Sequence, residues 1–248
     1  MNTLYNYLLK LADDSLIMGQ RLSEWCGEGP YLEEDIALTN IALDQLGQAS
    51  NFYQYATKFN EGKTEDDLAF LRYEHEYINA HWVELPNEDY AQTILKVYVF
   101  ALYQKLMYEA LSNSADEDLR AIAQKSLKEV KYHYTHAVSW MNIFAQGTEE
   151  SKTRLNAAIE NIWEYTKGLF VKVEGEDELV ALNVVPNVDA IYEEFLKQSK
   201  ADFEKFGLAY PTNEFMQPKS RTGYHTEYFG YILCEMQYMQ RAYPGCTW

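Results

Sequence analysis

The sequence predicts an all-α protein, mainly long antiparallel helices with short connections. Three observations predict it. Apolar residues recur at spacings of three and four almost throughout, the rhythm of one helix face. Glycines and prolines fall between these periodic stretches, where helices stop and start. The alternation of a strand shows only once, at 171–187.

The elements follow in order. In the first segment Leu4, Leu8, Leu11, Ser15, Met18, Leu22 and Trp25 form an a/d seam, and Gly27 is placed to end it. A second helix follows Pro30, with Leu32, Ile36, Thr39, Leu43, Leu46, Ser50 and Tyr53 in the same rhythm, and ends near Gly62. Thr64 with Asp67 reads as a capping box opening a short helix. Pro86-Asn87 starts ILKVYVFALYQKLMYEAL, apolar on nearly every face and so expected at the centre of a bundle. The acids at 116–118 suit the positive end of the next helix, which carries the seam Leu119, Ala123, Ser126, Val130, His133, Ala137, Trp140 and Phe144 and runs to Gly147. A sixth helix covers about 149–170. The stretch VKVEGEDELVALNVVPN suggests a loop or short hairpin. Helix returns at about 188–206, and a loop with Pro211 and Pro218 leads to a last helix at about 225–242. No repeat, low-complexity segment or linker interrupts the chain, so residues 1–248 read as one domain.

Composition narrows the function classes. A chain of 248 residues, 47% hydrophobic, can build one sizeable core. A formal charge of −17 repels phosphate backbones and anionic lipid, which disfavours nucleic acid and membrane surfaces and would steer a basic protein partner inward. Three cysteines, Cys26, Cys234 and Cys246, without C-x-x-C spacing suit free thiols in a reducing cytoplasm. Lys10, Asp13 and Asp14 break the N-terminal apolar run, so it does not read as a signal peptide. VYVFALY at 97–103 is too short to span a bilayer. The 21 tyrosines suit helix packing and also a large buried protein interface. Lys219 and Arg221 read as solvated loop charges, with an anionic ligand as the alternative.

The stretch KEVKYHYTHAVSW, 128–140, sets Glu129, His133 and His136 about a turn apart, as in half of a di-iron site. A di-iron carboxylate bundle takes one Glu from each of two helices and Glu-x-x-His from each of two others, because the iron needs hard carboxylates for its charge and imidazoles to fix its geometry. None of the five histidines has Asp or Glu three positions before it. Ser15 stands where the first helix would offer a ligand, and Asp44 has Gly47 as its third neighbour. The expectation is therefore no metal site, with Asp44, Glu129 and His133 as polar residues filling a vacated one. A single weak metal on those three is the alternative. Gly-rich phosphate loops, G-x-S-x-G and H-E-x-x-H are absent.

The blocks QRLSEWCGEGPYLEEDIALTNIALDQLGQASNFYQYA, LPNEDYAQTI, KEVKYHYTHAVSW and HTEYFGYILCEMQYMQRAYPGCTW, in this order and reaching Trp248, resemble the PaaC-type subunit of bacterial multicomponent phenylacetyl-CoA monooxygenases, also called epoxidases. The 60s loop and 171–187 are least alike. The resemblance implies a ferritin-like four-helix bundle core with additional helices. It implies a structural subunit with no cofactor of its own, paired with a homologous ferritin-like catalytic subunit that holds the di-iron centre. It also implies a separate reductase with FAD and iron–sulfur, fed by NADPH. The first two helices, which carry the longest matching block, are expected to form much of the interface, and self-association of the isolated chain is compatible with this. Two other readings remain: a degenerate-ligand metal oxidase using Asp44, Glu129 and His133, and an acyl-CoA-binding helical module.

Overall fold

The computed structural model describes residues 3–212 and 215–246; Trp248, the end of the last matching block, lies outside them. Ten α-helices and two 3-10 turns make up its regular structure, with no strand among the described residues. The chain forms two compact units, one from Met1–Pro86 and Lys219–Trp248, the other from Asn87–Pro218. Among the described residues no helix is long and apolar enough to cross a membrane.

The first unit is built on a hairpin of α1 (Thr3–Ser23) and α2 (Leu32–Thr57). The pair is antiparallel: Tyr53 meets Asp13, and Gly19 lies against Ala42 and Leu46. A Cβ on Gly19 would stand 3.0 Å from the Leu46 side chain, so glycine lets the two helices approach there. Asp35 closes the loop between them, its Oδ2 accepting from the Gly27 and Gly29 amides at 2.8 and 3.0 Å. Gly27 has φ 86°, as a helix-stopping position requires, but α1 has already ended at Ser23, leaving Trp25 of the expected seam in the turn. α3 (Glu65–Phe70) has the reciprocal cap between Thr64 and Asp67. A 3-10 turn (Glu74–Glu76), α4 (His81–Glu84) and α10 (Phe229–Ala242) complete the unit.

The second unit is built on α5 (Tyr90–Leu111) and α6 (Glu117–Gln146), also antiparallel, with Tyr90 against Trp140 and Tyr98 against Tyr134. Asp89 and Asp116 cap their N-termini. α5 is buried around almost its whole circumference, as its unbroken apolar run requires. On α6 the buried line is Leu119, Ala123, Ser126, Val130, His133, Ala137, Met141 and Ala145. It leaves the expected seam at its end, where Trp140 and Phe144 are only half-buried. α7 (Glu149–Ile162) continues as a 3-10 helix to Phe170, and α9 (Val188–Phe206) stops at Gly207, φ 73°.

Of the loop or short hairpin expected at 171–187, no hairpin forms, and a short helix interrupts the loop. Gly175, at φ 80°, opens α8 (Glu176–Ala181), and Glu176 turns back to accept from the Val173 amide at 2.9 Å. A local cap therefore takes the backbone that a strand would have used. The rest is the all-α architecture expected, with two long antiparallel hairpins of the kind from which ferritin-like bundles are made.

Candidate functional site

The densest chemistry lies in the first unit, on three carboxylates with almost no exposed surface: Asp13, Asp14 and Glu84. A buried carboxylate demands a cation or hydrogen-bond donors, and each has such partners. Asp13 accepts from both Arg72 terminal nitrogens, from the Tyr53 hydroxyl at 2.6 Å and from the Ile78 amide at 2.9 Å. Arg72 is itself spent: its Nε and Nη1 also donate to the Leu68 and Glu76 carbonyls, and it lies 4.0 Å over the Tyr77 ring.

Asp14 forms a two-pronged pair with Arg221, at 2.6 and 3.1 Å, and accepts from the Ala80 amide at 2.8 Å. Burial raises the Asp14 carboxyl above its ordinary value, while Arg221 and the Ala80 amide pull it back down. Arg221 and Lys219 occupy the left-handed region, at φ 64° and 67°. Arg221 was expected in solvent. It is buried instead, because the Asp14 carboxylate in the helix pair recruits it. Lys219 stays exposed, over the Tyr224 ring.

Glu84 accepts on both oxygens: Oε1 from the Asn79 amide and His225 Nδ1, Oε2 from the Thr226 amide and hydroxyl, all at 2.6–2.8 Å. The other His225 nitrogen faces the Tyr77 carbonyl at 3.2 Å, and the ring stacks on Phe229. Both ring nitrogens are thus within hydrogen-bond distance of protein oxygens. Arg21 donates twice to the Glu84 carbonyl.

In the second unit Asp202 accepts from the Tyr98 and Tyr134 hydroxyls and from Lys205. Burial first, and then the Asp202 charge, holds the Tyr98 phenol well above its ordinary range; burial likewise lifts Tyr134. Lys96, fully buried, donates to Asn87 Oδ1 at 3.3 Å.

The residues singled out from the sequence are distributed as follows. Asp44 is half-buried on α2 of the first unit. Glu129 is half-buried and His133 fully buried on α6 of the second, one turn apart. Ser15 is fully buried. Among the described residues no three His, Cys, Asp or Glu side chains converge as a metal site needs. Sequence reasoning missed Asp13, Asp14, Arg72, Glu84 and His225, and singled out Arg221 only as a loop charge. One signal for Asp14 was present: it stands three residues after Leu11 and four before Met18, inside the apolar rhythm of the first helix.

Chemically the ionic cluster is saturated. Its carboxylate oxygens are engaged by donors already in place, so it offers no open position to a substrate or metal. It fastens the segment from Ser220 to Thr226 onto α1 and onto the backbone of 77–84.

A family model described as phenylacetic acid catabolic protein matches residues 1–248. The C component of the 1,2-phenylacetyl-CoA epoxidase of Escherichia coli (strain K12) is 36% identical over 248 residues, covering 100% of both chains.

Proposed function

The chain belongs to the phenylacetic acid catabolic protein family, and on that premise we propose that it is a non-catalytic subunit of a phenylacetyl-CoA ring epoxidase. The observation that carries this reading is the full-length similarity to a protein named as one component of such an enzyme. In this role the chain pairs with a homologous ferritin-like catalytic subunit that holds the di-iron centre. A separate reductase with FAD and iron–sulfur delivers electrons from NADPH. The assembly works in the cytoplasm on aromatic-acid catabolism, and residues 1–248 act as one ferritin-like domain.

The chemistry of the donor set supports the assignment of oxygen chemistry to the partner. A di-iron site needs Glu-x-x-His from two helices, and no histidine here has an acid three positions before it. The α1 carboxylates, Asp13 and Asp14, are neutralised by guanidinium groups, which a metal would have to displace. These residues do not fit a di-iron group, and no step is derived through one in this chain. Asp44 on α2, and Glu129 with His133 on α6, are read as polar remnants of lost ligand positions, each within its own unit.

The test is the iron content of the chain purified alone from iron-rich medium, together with co-purification of the catalytic subunit on co-expression. Iron well below one atom per chain and a stable complex are expected. About two irons per chain, the loading of a di-iron bundle, with oxygen uptake by the isolated chain would overturn the reading.

A further inference from the structure

α2 has two apolar faces, and its own unit covers only one. Ala37, Leu38, Ile41, Ala42, Ala49 and Phe52 are buried. Leu32, Ile36 and Leu43, at helical spacings of four and seven, are 73%, 52% and 60% exposed. Large aliphatic side chains aligned on one exposed stripe are unlike apolar residues scattered singly over a surface.

The stripe continues to Gly47, four residues after Leu43. A glycine in a helix interior is unfavourable relative to alanine. At Gly19 the close approach of α2 accounts for the glycine. At Gly47, apart from its chain neighbours and the adjoining backbone of α2, none of the described residues comes within 4 Å of where a Cβ would stand. This chain's own packing therefore gives no reason for it, whereas the close passage of another backbone would. Next on the stripe is Ser50, also small. The flanks are acidic: by helical spacing Glu33 and Asp44 border one side and Asp35 the other, on a chain of net charge −17.

We propose that this stripe docks one amphipathic helix of a second, different protein chain. The apolar side chains of that helix pack against Leu32, Ile36 and Leu43, its backbone passes closest at Gly47, and its flanks carry Lys or Arg. Charge complementarity selects a basic-flanked helix over a second copy of this acidic chain, whose α2 would bring Glu33 and Asp44 against their own kind. The inference rests on the reading of the chain as a subunit and names the face that reading leaves open.

The experiment uses the full chain and the catalytic subunit proposed above, with affinity measured by biolayer interferometry. Leu43→Glu and Gly47→Phe are compared with Leu182→Glu, a control at an exposed leucine of the second unit. Thermal unfolding of each variant checks that it is folded. The expected result is that wild type and Leu182→Glu bind, while Leu43→Glu and Gly47→Phe each weaken Kd by about 30-fold or more. Glu33→Lys should slow association about tenfold at low salt, and an unchanged rate would overturn the basic-flank part. If Leu43→Glu and Gly47→Phe bind like wild type, the face is wrong and the subunit reading stands. If wild type does not bind, the subunit reading fails and the inference with it. A wild-type homodimer that these variants dissolve without affecting the catalytic subunit would give the face to a second copy and overturn the proposal.

Discussion

Asp14 and Arg221 illustrate what single residues decide here. Each is removed from water at a cost that the other's opposite charge helps to offset. Arg221→Met leaves a buried carboxylate without its cation and should cost about 3–5 kcal/mol, read as a fall in the urea midpoint. Adding Asp14→Leu should recover most of that loss, because the double variant buries no charge. No recovery would mean that Arg221 acts through its contact with the Ile78 carbonyl. The tyrosines make a second case. Burial pushes Tyr77 up to about 12 and holds Tyr53, Tyr98 and Tyr134 well above ordinary phenols. In the unfolded chain a phenol loses its proton near 10.0. The folded state therefore binds more protons above that pH, and the stability Tyr77 contributes is complete below about 10 and lost as pH rises through about 12. Ultraviolet titration should show these four ionising together with loss of helical circular dichroism. Ionisation at lower pH with the helices intact would contradict it.

At the scale of elements, local chemistry was legible. The acids at 116–118 cap α6, with Asp116 accepting from the Leu119 amide at 2.8 Å, and Thr64 with Asp67 form the expected box. Asp116→Ala should therefore cost about 1 kcal/mol, measured by chemical denaturation. Two glycines should respond oppositely to alanine. Gly47→Ala should stabilise the isolated chain by up to about 1 kcal/mol, since its Cβ meets open space. Gly223→Ala should destabilise it, because φ is 75° and the Cβ would stand 2.5 Å from the His75 carbonyl oxygen. Thermal melts of both variants decide this. The 171–187 stretch was not legible as helix: its β-branched alternation is real, but the αL glycine and the Glu176 cap use the same backbone locally.

At the scale of the molecule, the first unit is discontinuous, its two pieces separated along the chain by the 132-residue span 87–218. Asp14 with Arg221 and Glu84 with His225 join the C-terminal piece to the N-terminal one. Ending the chain at Pro218 should therefore leave Asp14 without its cation and Glu84 without its His225 and Thr226 partners. Hydrogen exchange should then show α1 and the 77–84 backbone deprotected. Protection like that of the full chain would assign the closure to other contacts. The acidic surface and the exposed α2 stripe are also properties of the whole molecule. They have meaning as a site only if another chain arrives.

By itself the sequence determined the helical class, most helix limits, the absence of a Glu-x-x-His pattern and the family, because periodicity, caps and spacing are local and survive in one dimension. Only the tertiary structure decided that Asp13, Asp14 and Glu84 are buried and which partners meet them. Those pairings span from 59 to 207 residues along the chain, a distance over which spacing carries no information. It also separated the two apolar faces of α2. A hydrophobic period marks which residues can be buried, but whether a given face is covered depends on what the rest of the chain brings against it.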